Sequence, residues 1–393
     1  REQIDADDQF GFVLDTFNDK KHGVFFYMNP LGIQQDGIWD ADQGPDYSYD
    51  MLWNSQARLT PQGFIEWFEI PFRSLRFSPR ENQTWGIFFE RDIRRNNEAA
   101  FYPRITSNAQ GFLSQETQMD GMEHISPGRN LQFIPYASLR SFRSLDGRDP
   151  NQPHFHARQI EGRLGLDSKV VLKDSLVFDA TVNPDFAQVE SDDPQITVNR
   201  RFEVFFPEKR PFFLENANFF ATPVNLVFTR RIADPDFGVR LSGKTGPWAM
   251  GTFFADDKSP GESVLPNDPL SGAKAYFSVV RVSHDLWKGS AIGFIVTDRE
   301  LNTVPLTVCT ANRCIIGQNR VAAVDTKLKL SSKWIATAQA MTSFTKFNDG
   351  THKGGPSYDV FVERSSRLLE FNAEYQDTAA NFATETGFFR RPD

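Results

Sequence analysis

Indole rings are the side chains in this sequence best suited to hold a small hydroxylated molecule. The apolar C–H face of a pyranose lies flat on an aromatic ring while amides and carboxylates take its hydroxyls. Trp39, Trp53 and Trp67, in the first third of the chain, stand out for that chemistry. Trp39 and Trp53 flank Tyr47 and Tyr49 amid Asp40, Asp42, Asp46 and Asp50. Alternation through 64–70 sends Phe64, Phe68 and Ile70 inward and Ile65, Trp67 and Glu69 outward, which makes Trp67 a possible stacking platform. The commoner fate of such residues is packing, with Trp53 and Trp85 in a core and Trp67 against a second domain or partner.

Other chemistry is thinner. Asp5, Asp7, Asp8 and Asp15 could include oxygen ligands for calcium, although a solvated acidic loop is the more ordinary reading. His154 and His156 lie two apart on one strand face, with no third metal ligand identifiable. Cys309 and Cys314, the two cysteines, have the spacing of a poor zinc site, and a local disulfide in an oxidising compartment is the better expectation. No serine-centred nucleophile, His–acid pair or Cys–His arrangement stands out, so no catalytic residue and no cofactor beyond that calcium is expected.

Acidic residues exceed basic ones by 51 to 43, giving a net charge of -8, which argues against a nucleic-acid surface. Mean hydropathy is -0.45, and no apolar run approaches the ~20 residues a membrane helix needs. Barrel strands need only about 10 residues and alternate lipid-facing with lumen-facing side chains, so these averages leave a barrel open. Residues 1–8 read as the interior of a domain, with no signal peptide.

The elements that must carry these residues are all strands. Runs over 10–15, 23–28, 63–70 and 84–90, punctuated by Asn29-Pro30, Gly44-Pro45 and Thr60-Pro61, predict a β-sandwich over 1–127 whose first strands are missing and which should not fold alone. Beyond residue 127 the alternation lengthens. Ala322, Val324, Thr326, Leu328 and Leu330 oppose Asp325, Lys327 and Lys329. Eleven strands are expected, near 131–143, 156–167, 175–182, 228–243, 247–255, 273–284, 289–299, 320–331, 334–343, 357–364 and 367–377. Their connections alternate short and long, with 144–155, 183–227, 256–272, 300–319 and 345–356 long. That asymmetry belongs to outer-membrane barrels, whose periplasmic turns are short. An all-β chain follows: a sandwich, then the N-terminal portion of a transmembrane barrel over 128–393, with the sandwich in the periplasm and an odd strand number implying further strands. The inserted segment 183–227 carries Phe205, Phe206, Glu208, Arg210, Phe212 and Phe213, a composition suited to a constriction folded into the lumen or to a self-packed extracellular cap.

The segment Val182-Asn-Pro-Asp-Phe-Ala-Gln-Val-Glu190, followed by Phe202-Glu-Val-Phe-Phe-Pro-Glu-Lys-Arg-Pro-Phe-Phe-Leu-Glu215, is similar to the signature of a bacterial family of unknown function, the DUF5916-like proteins. The runs at 8–17, 29–32, 64–72 and 85–91 resemble the later strands of that family's first domain. The resemblance implies a family 9 carbohydrate-binding-like (CBM9/DOMON-like) domain ahead of an outer-membrane barrel. The resulting expectation is a bacterial outer-membrane protein, with lipid around the barrel and a glycan or other envelope component on the sandwich, serving transport or surface attachment. The rivals are a glycosidase targeted by the sandwich, favoured by two carboxylates ~5–10 Å apart in an open cleft, and a structural envelope protein, favoured if Trp39, Trp53 and Trp67 are all buried.

Overall fold

Side chains that alternate between two environments with a period of two organise more than half of the described residues into antiparallel strands. The computed structural model describes residues 4–41, 44–106, 109, 111–128, 130–143, 145–146, 154–155, 157–173, 175–184, 204–264, 268, 270–287, 289–302 and 315–389. Cys309, Cys314 and His156 lie outside the described residues.

The first sheet is built from β1 (Gln9–Asp15), β2 (His22–Met28), β3 (Gln34–Asp40), β4 (Gly44–Asp46), β7 (Asn82–Ile93), β8 (Glu98–Tyr102) and β9 (Thr117–Glu123). Its order is β4-β3-β2-β1-β7-β8, with β9 also beside β7. A separate hairpin, β5 (Asn54–Thr60) and β6 (Gly63–Glu69), covers one face. β1 and β2 are buried on both sides, which is why they read as nearly continuous apolar runs. Leu14, Phe26, Met28, Trp85 and Ile87 pack toward the hairpin with Trp53, while Val13, Phe25, Tyr27 and Phe88 form a second core with Ile4 and Leu113. Polar β3, β5 and β9 carry too weak an apolar pattern to be read from sequence, and β8 is only five residues long.

The second sheet has eleven strands, each paired with its neighbour in order: β10 (Gln132–Phe142), β13 (Gln159–Leu172), β14 (Leu176–Val182), β15 (Phe237–Thr245), β16 (Trp248–Asp257), β17 (Ala275–Asp285), β18 (Ala291–Leu301), β19 (Ile316–Lys329), β20 (Trp334–Phe347), β21 (His352–Arg364) and β22 (Phe371–Thr378). A two-residue ribbon, β11 (Leu145–Asp146) with β12 (His154–Phe155), decorates the β10–β13 connection. Two expected boundaries fail. The strand expected from residue 228 begins at Phe237, because 228–236 makes a 3-10 turn at Thr229–Arg231 and then meets Pro235. The long loop expected over 345–356 is a tight turn at 348–351, since β20 and β21 run on to Phe347 and from His352.

This sheet is apolar without, and its buried face mixes polar with apolar side chains. On β15, Arg240, Ser242 and Lys244 are buried while Val239 is exposed and Leu241 half-buried. Val280, Ile292, Phe294, Val324, Phe344, Tyr358 and Val360 continue the exposed face. Trp248, Trp287 and Trp334 gather on or beside that face at the short turns 246–247, 286–290 and 330–333, and toward the other end Phe254 stacks on Tyr276 at 6.0 Å. The buried face is covered by residues 204–232, whose α1 (Pro211–Leu214) and neighbouring turns set Phe213, Phe220, Leu226 and Ile232 against Phe253, Val279, Ile295, Val321 and Met341.

Candidate functional site

A groove of about 370 Å³ opens on the first sheet, on the face away from the β5–β6 hairpin. Alternation delivers its polar wall: Gln9 on β1 sits opposite Asp92 on β7, and Gly11 opposite Glu90. On the other side of β1, Gly11 pairs with Tyr27 of β2, and Tyr27 with Gln35 of β3. Gly11 has to lack a side chain, because a Cβ there would lie 2.3 Å from the Tyr27 ring. Trp39 ends β3 in the same groove, stacked on Phe112 at 4.9 Å and edge-on to Phe88, while Tyr47 stands edge-on to Phe25.

Hydrogen bonds fix this wall. Tyr27 donates its hydroxyl proton to Glu90 at 2.6 Å. Gln9 Nε2 and Arg94 Nη2 both donate to Asp92 Oδ2, at 2.7 and 2.8 Å. Burial, with the adjacent Glu90 carboxylate, pushes the Tyr27 hydroxyl well above its usual range. Burial likewise raises Glu90 against the opposing hydrogen bond from Tyr27. One acceptor is left over: Gln9 is 6% exposed, and its Oε1 has no hydrogen-bond partner among the described residues. A buried carbonyl oxygen without a donor costs roughly 1–3 kcal/mol, and Gln9 is part of the groove's lining. Aromatic rings and polar groups on one wall are the requirement for holding a sugar ring or another polyol.

The other tryptophans are elsewhere. Trp53 is buried in the opposite core, stacked on Phe68 at 5.4 Å and 2° and edge-on to Phe26. Trp67 stands 48% exposed on the outside of β6. The structure therefore brings Trp39 alone of the three to the groove, and the condition that all three be buried is not met. The groove-forming Gln9, Tyr27, Glu90 and Asp92 were missed from sequence because they come from three strands; the signal was the i, i+2 pair Glu90 and Asp92 directly after the apolar run 85–89. The acidic residues are dispersed. Asp15 is buried at the far end of β1 and accepts backbone amides, Asp7 accepts Asn29, and Asp8 accepts the Arg94 amide. Among the described residues no group of three metal-ligating side chains forms. His154 is exposed on β12.

Residues 204–232 lie against the inner face of the large sheet, and their charged and aromatic side chains pair with one another. Arg210 is 4% exposed; it bonds Glu208 at 2.6 and 2.8 Å, donates to the carbonyls of Thr229 (2.7 Å) and Ile232, and lies over the Phe213 ring. Phe205 contacts Phe228 and Phe388, the Arg240 guanidinium faces the Phe212 ring, Phe206 is half-buried, and Phe213 is core. Beside this segment lies a cavity of about 650 Å³, walled by Asn218, Phe219 and Val224, by the large sheet's Arg281 and Asp325, and by Lys20, Lys21 and His22 at the β1–β2 turn. Glu215 ties the three parts together: it accepts Arg76 Nη2 from the first domain at 2.8 Å and pairs with Lys169 of β13.

Fold and groove together define an all-β chain in which a grooved sheet domain sits at the short-turn end of a large curled antiparallel sheet. Residues 127–241, spanning β10–β15, match a family described as a domain of unknown function (DUF5916). No curated protein matches the chain. Among solved structures, in-vitro folded OmpT, an outer membrane protein of Vibrio cholerae, is similar at 9% identity over 94% of this chain and 84% of its own, with a TM-score of 0.31. An OmpT mutant of Vibrio cholerae lacking loop L8 aligns at 13% identity over 63% of this chain and 94% of its own, with a TM-score of 0.27. Similarity at that level carries no functional inference.

Proposed function

We propose that this chain belongs to an outer-membrane barrel whose first domain, residues 1–127, lies in the periplasm and binds a neutral glycan or other hydroxyl-rich envelope component. The carrying observation is the groove: Trp39, Tyr27 and Tyr47 beside Gln9, whose buried Oε1 lacks a donor among the described residues. The membrane half of the reading is supported by the outer face of the second sheet. Its exposed apolar strips would be costly in water, and aromatic clusters near both strand ends match the interfacial girdles of barrels. Orientation follows from the short turns, which are periplasmic in such barrels, because the first domain sits among them. Binding there would serve transport or surface attachment.

The test is a glycan array with the full chain in detergent micelles, followed by titration of any hit. Trp39→Ala and Gln9→Leu should each weaken binding at least tenfold while Trp67→Ala leaves it unchanged. Equal loss in all three, or binding that survives Trp39→Ala, would remove the groove from consideration. A second reading, glycan hydrolysis, has one observation in its favour: Glu90 and Asp92 share a face of β7 in the groove, with Cα atoms about 7 Å apart by strand geometry. Release of reducing ends that Glu90→Gln abolishes would establish it; binding without release sets it aside.

A further inference from the structure

The turn between β1 and β2, residues 16–21, is shaped by its own domain. Asn18 and Lys20 hold left-handed conformations, with φ of 52° and 63°, which non-glycine residues keep only where their surroundings impose it. The buried Asp15 carboxylate imposes it, accepting the amides of Phe17 at 3.2 Å and Lys20 at 2.6 Å. Glu116 holds the Lys20 ammonium from the other side. A stiff loop results, and it carries Asp19 and Lys21, with His22 next in sequence, to the short-turn end of the large sheet.

There the loop enters a chain of alternating charge. Lys21 pairs with Asp285 at the end of β17, and Asp285 pairs with Lys244 of β15 at 2.5 Å. Lys244 pairs in turn with Asp19, Asp19 accepts His22 Nδ1 at 2.9 Å, and His22 Nε2 faces Asp40 across 3.8 Å. The His22 ring also lies 5.3 Å from Phe219 of the covering segment. The side chains of Asp19 and Lys244 are 5% and 4% exposed. Pairs that dry are screened little by salt, yet removing one partner leaves the other charge buried and uncompensated. Lys20, Lys21 and His22, on or beside the same loop, also wall the 650 Å³ cavity against the sheet, and Ser283 is part of the same wall.

We propose that the chain Lys21–Asp285–Lys244–Asp19–His22 is a clasp that docks the first domain reversibly over the mouth of the large sheet and closes the inner cavity. The first domain is thereby a gate as well as a binding module. Because Asp19 and Lys244 at its centre are desolvated, loss of one of those charges opens the gate where moderate salt does not.

Two readouts on the full chain in lipid nanodiscs test this. Amide hydrogen exchange at 16–22 and 286–290 should accelerate at least tenfold in Lys244→Met, remain slow in Lys244→Arg, and change little between 50 and 300 mM salt. With Cys309 and Cys314 replaced by serine and Ser283→Cys introduced, a water-soluble thiol reagent should label the cavity at least tenfold faster in the Lys244→Met background. Unchanged exchange in Lys244→Met overturns the clasp. Exchange that rises equally throughout β15 and β16 makes Lys244 a support of the sheet rather than a latch, and also overturns it. Opened amides with unchanged labelling at position 283 overturn the gate.

Discussion

Replacing Glu215 by glutamine should cost this protein about 3 kcal/mol at neutral pH. Glu215 is 2% exposed in the segment that covers the inner face of the large sheet. Burial alone would raise its carboxyl; Arg76 and Lys169 outweigh that and hold it at about 2, against an ordinary 4.5. At about 1.4 kcal/mol per pH unit, that gap corresponds to roughly 3 kcal/mol. Removing one partner from a buried pair costs a similar ~3–5 kcal/mol. Since the folded value lies below the unfolded one, the stabilisation is complete above pH 4.5 and is lost as pH falls from 4.5 toward 2. Denaturant unfolding in micelles, followed by tryptophan fluorescence, should separate Glu215→Gln from wild type at pH 7 and bring the two together near pH 2. The pair Arg76→Met with Glu215→Leu should recover part of the loss, because both buried charges leave together. A variant within about 0.5 kcal/mol of wild type at pH 7, or a difference that persists unchanged at pH 2, would refute the reasoning.

Three further outcomes are expected. Burial raises Glu66 to about 7 against the opposing pull of Arg91, so its protonated form is the one the fold prefers and stability declines as pH climbs from 4.5 to 7; Glu66→Gln should flatten that decline in a pH series of melting temperatures and exceed wild type at pH 8. Trp53→Ala should destabilise the first domain by about 3–5 kcal/mol, as deletion of a buried aromatic does, whereas Trp67→Ala stays within about 1 kcal/mol; equal losses in chemical denaturation would contradict their assignment to core and surface. In proteoliposomes, brominated acyl chains should quench the fluorescence of Trp248, Trp287 and Trp334, read in variants retaining one tryptophan each, and leave Trp39, Trp53 and Trp85 bright; no quenching of the first three would remove the membrane placement.

The alternation of side chains made the large sheet legible, since exposed apolar side chains still recur with a period of two. Val324 and Leu330 are exposed and Asp325 is buried against Arg281, on the faces that the spacing assigns them. Breakers misled where they served packing. Gly354, Gly355 and Pro356 read as loop, yet they lie within β21, because a Cβ on Gly354 would meet the Ser343 carbonyl oxygen at 2.2 Å and one on Gly355 would meet Ala379 at 2.7 Å. The groove was illegible for a different reason. Its polar residues are separated by most of a hundred positions, and it is the pairing of β1 with both β2 and β7 that makes them neighbours. Trp39, Trp53 and Trp67 are alike in sequence context, and only the faces of three different strands and loops tell groove, core and surface apart.

The covering segment leaves β14 and returns as β15, two strands that are themselves adjacent, yet its apolar side chains rest on strands that come later in the chain. It therefore cannot reach its final contacts until β16 to β20 have been synthesised and have paired, and a sheet that curled shut first would leave it stranded outside. The order of assembly is written into that connectivity: the loop settles on the inner face only once those later strands have formed. Pulse-labelling of amides during refolding should then show protection of 213–232 appearing no earlier than that of β19 and β20.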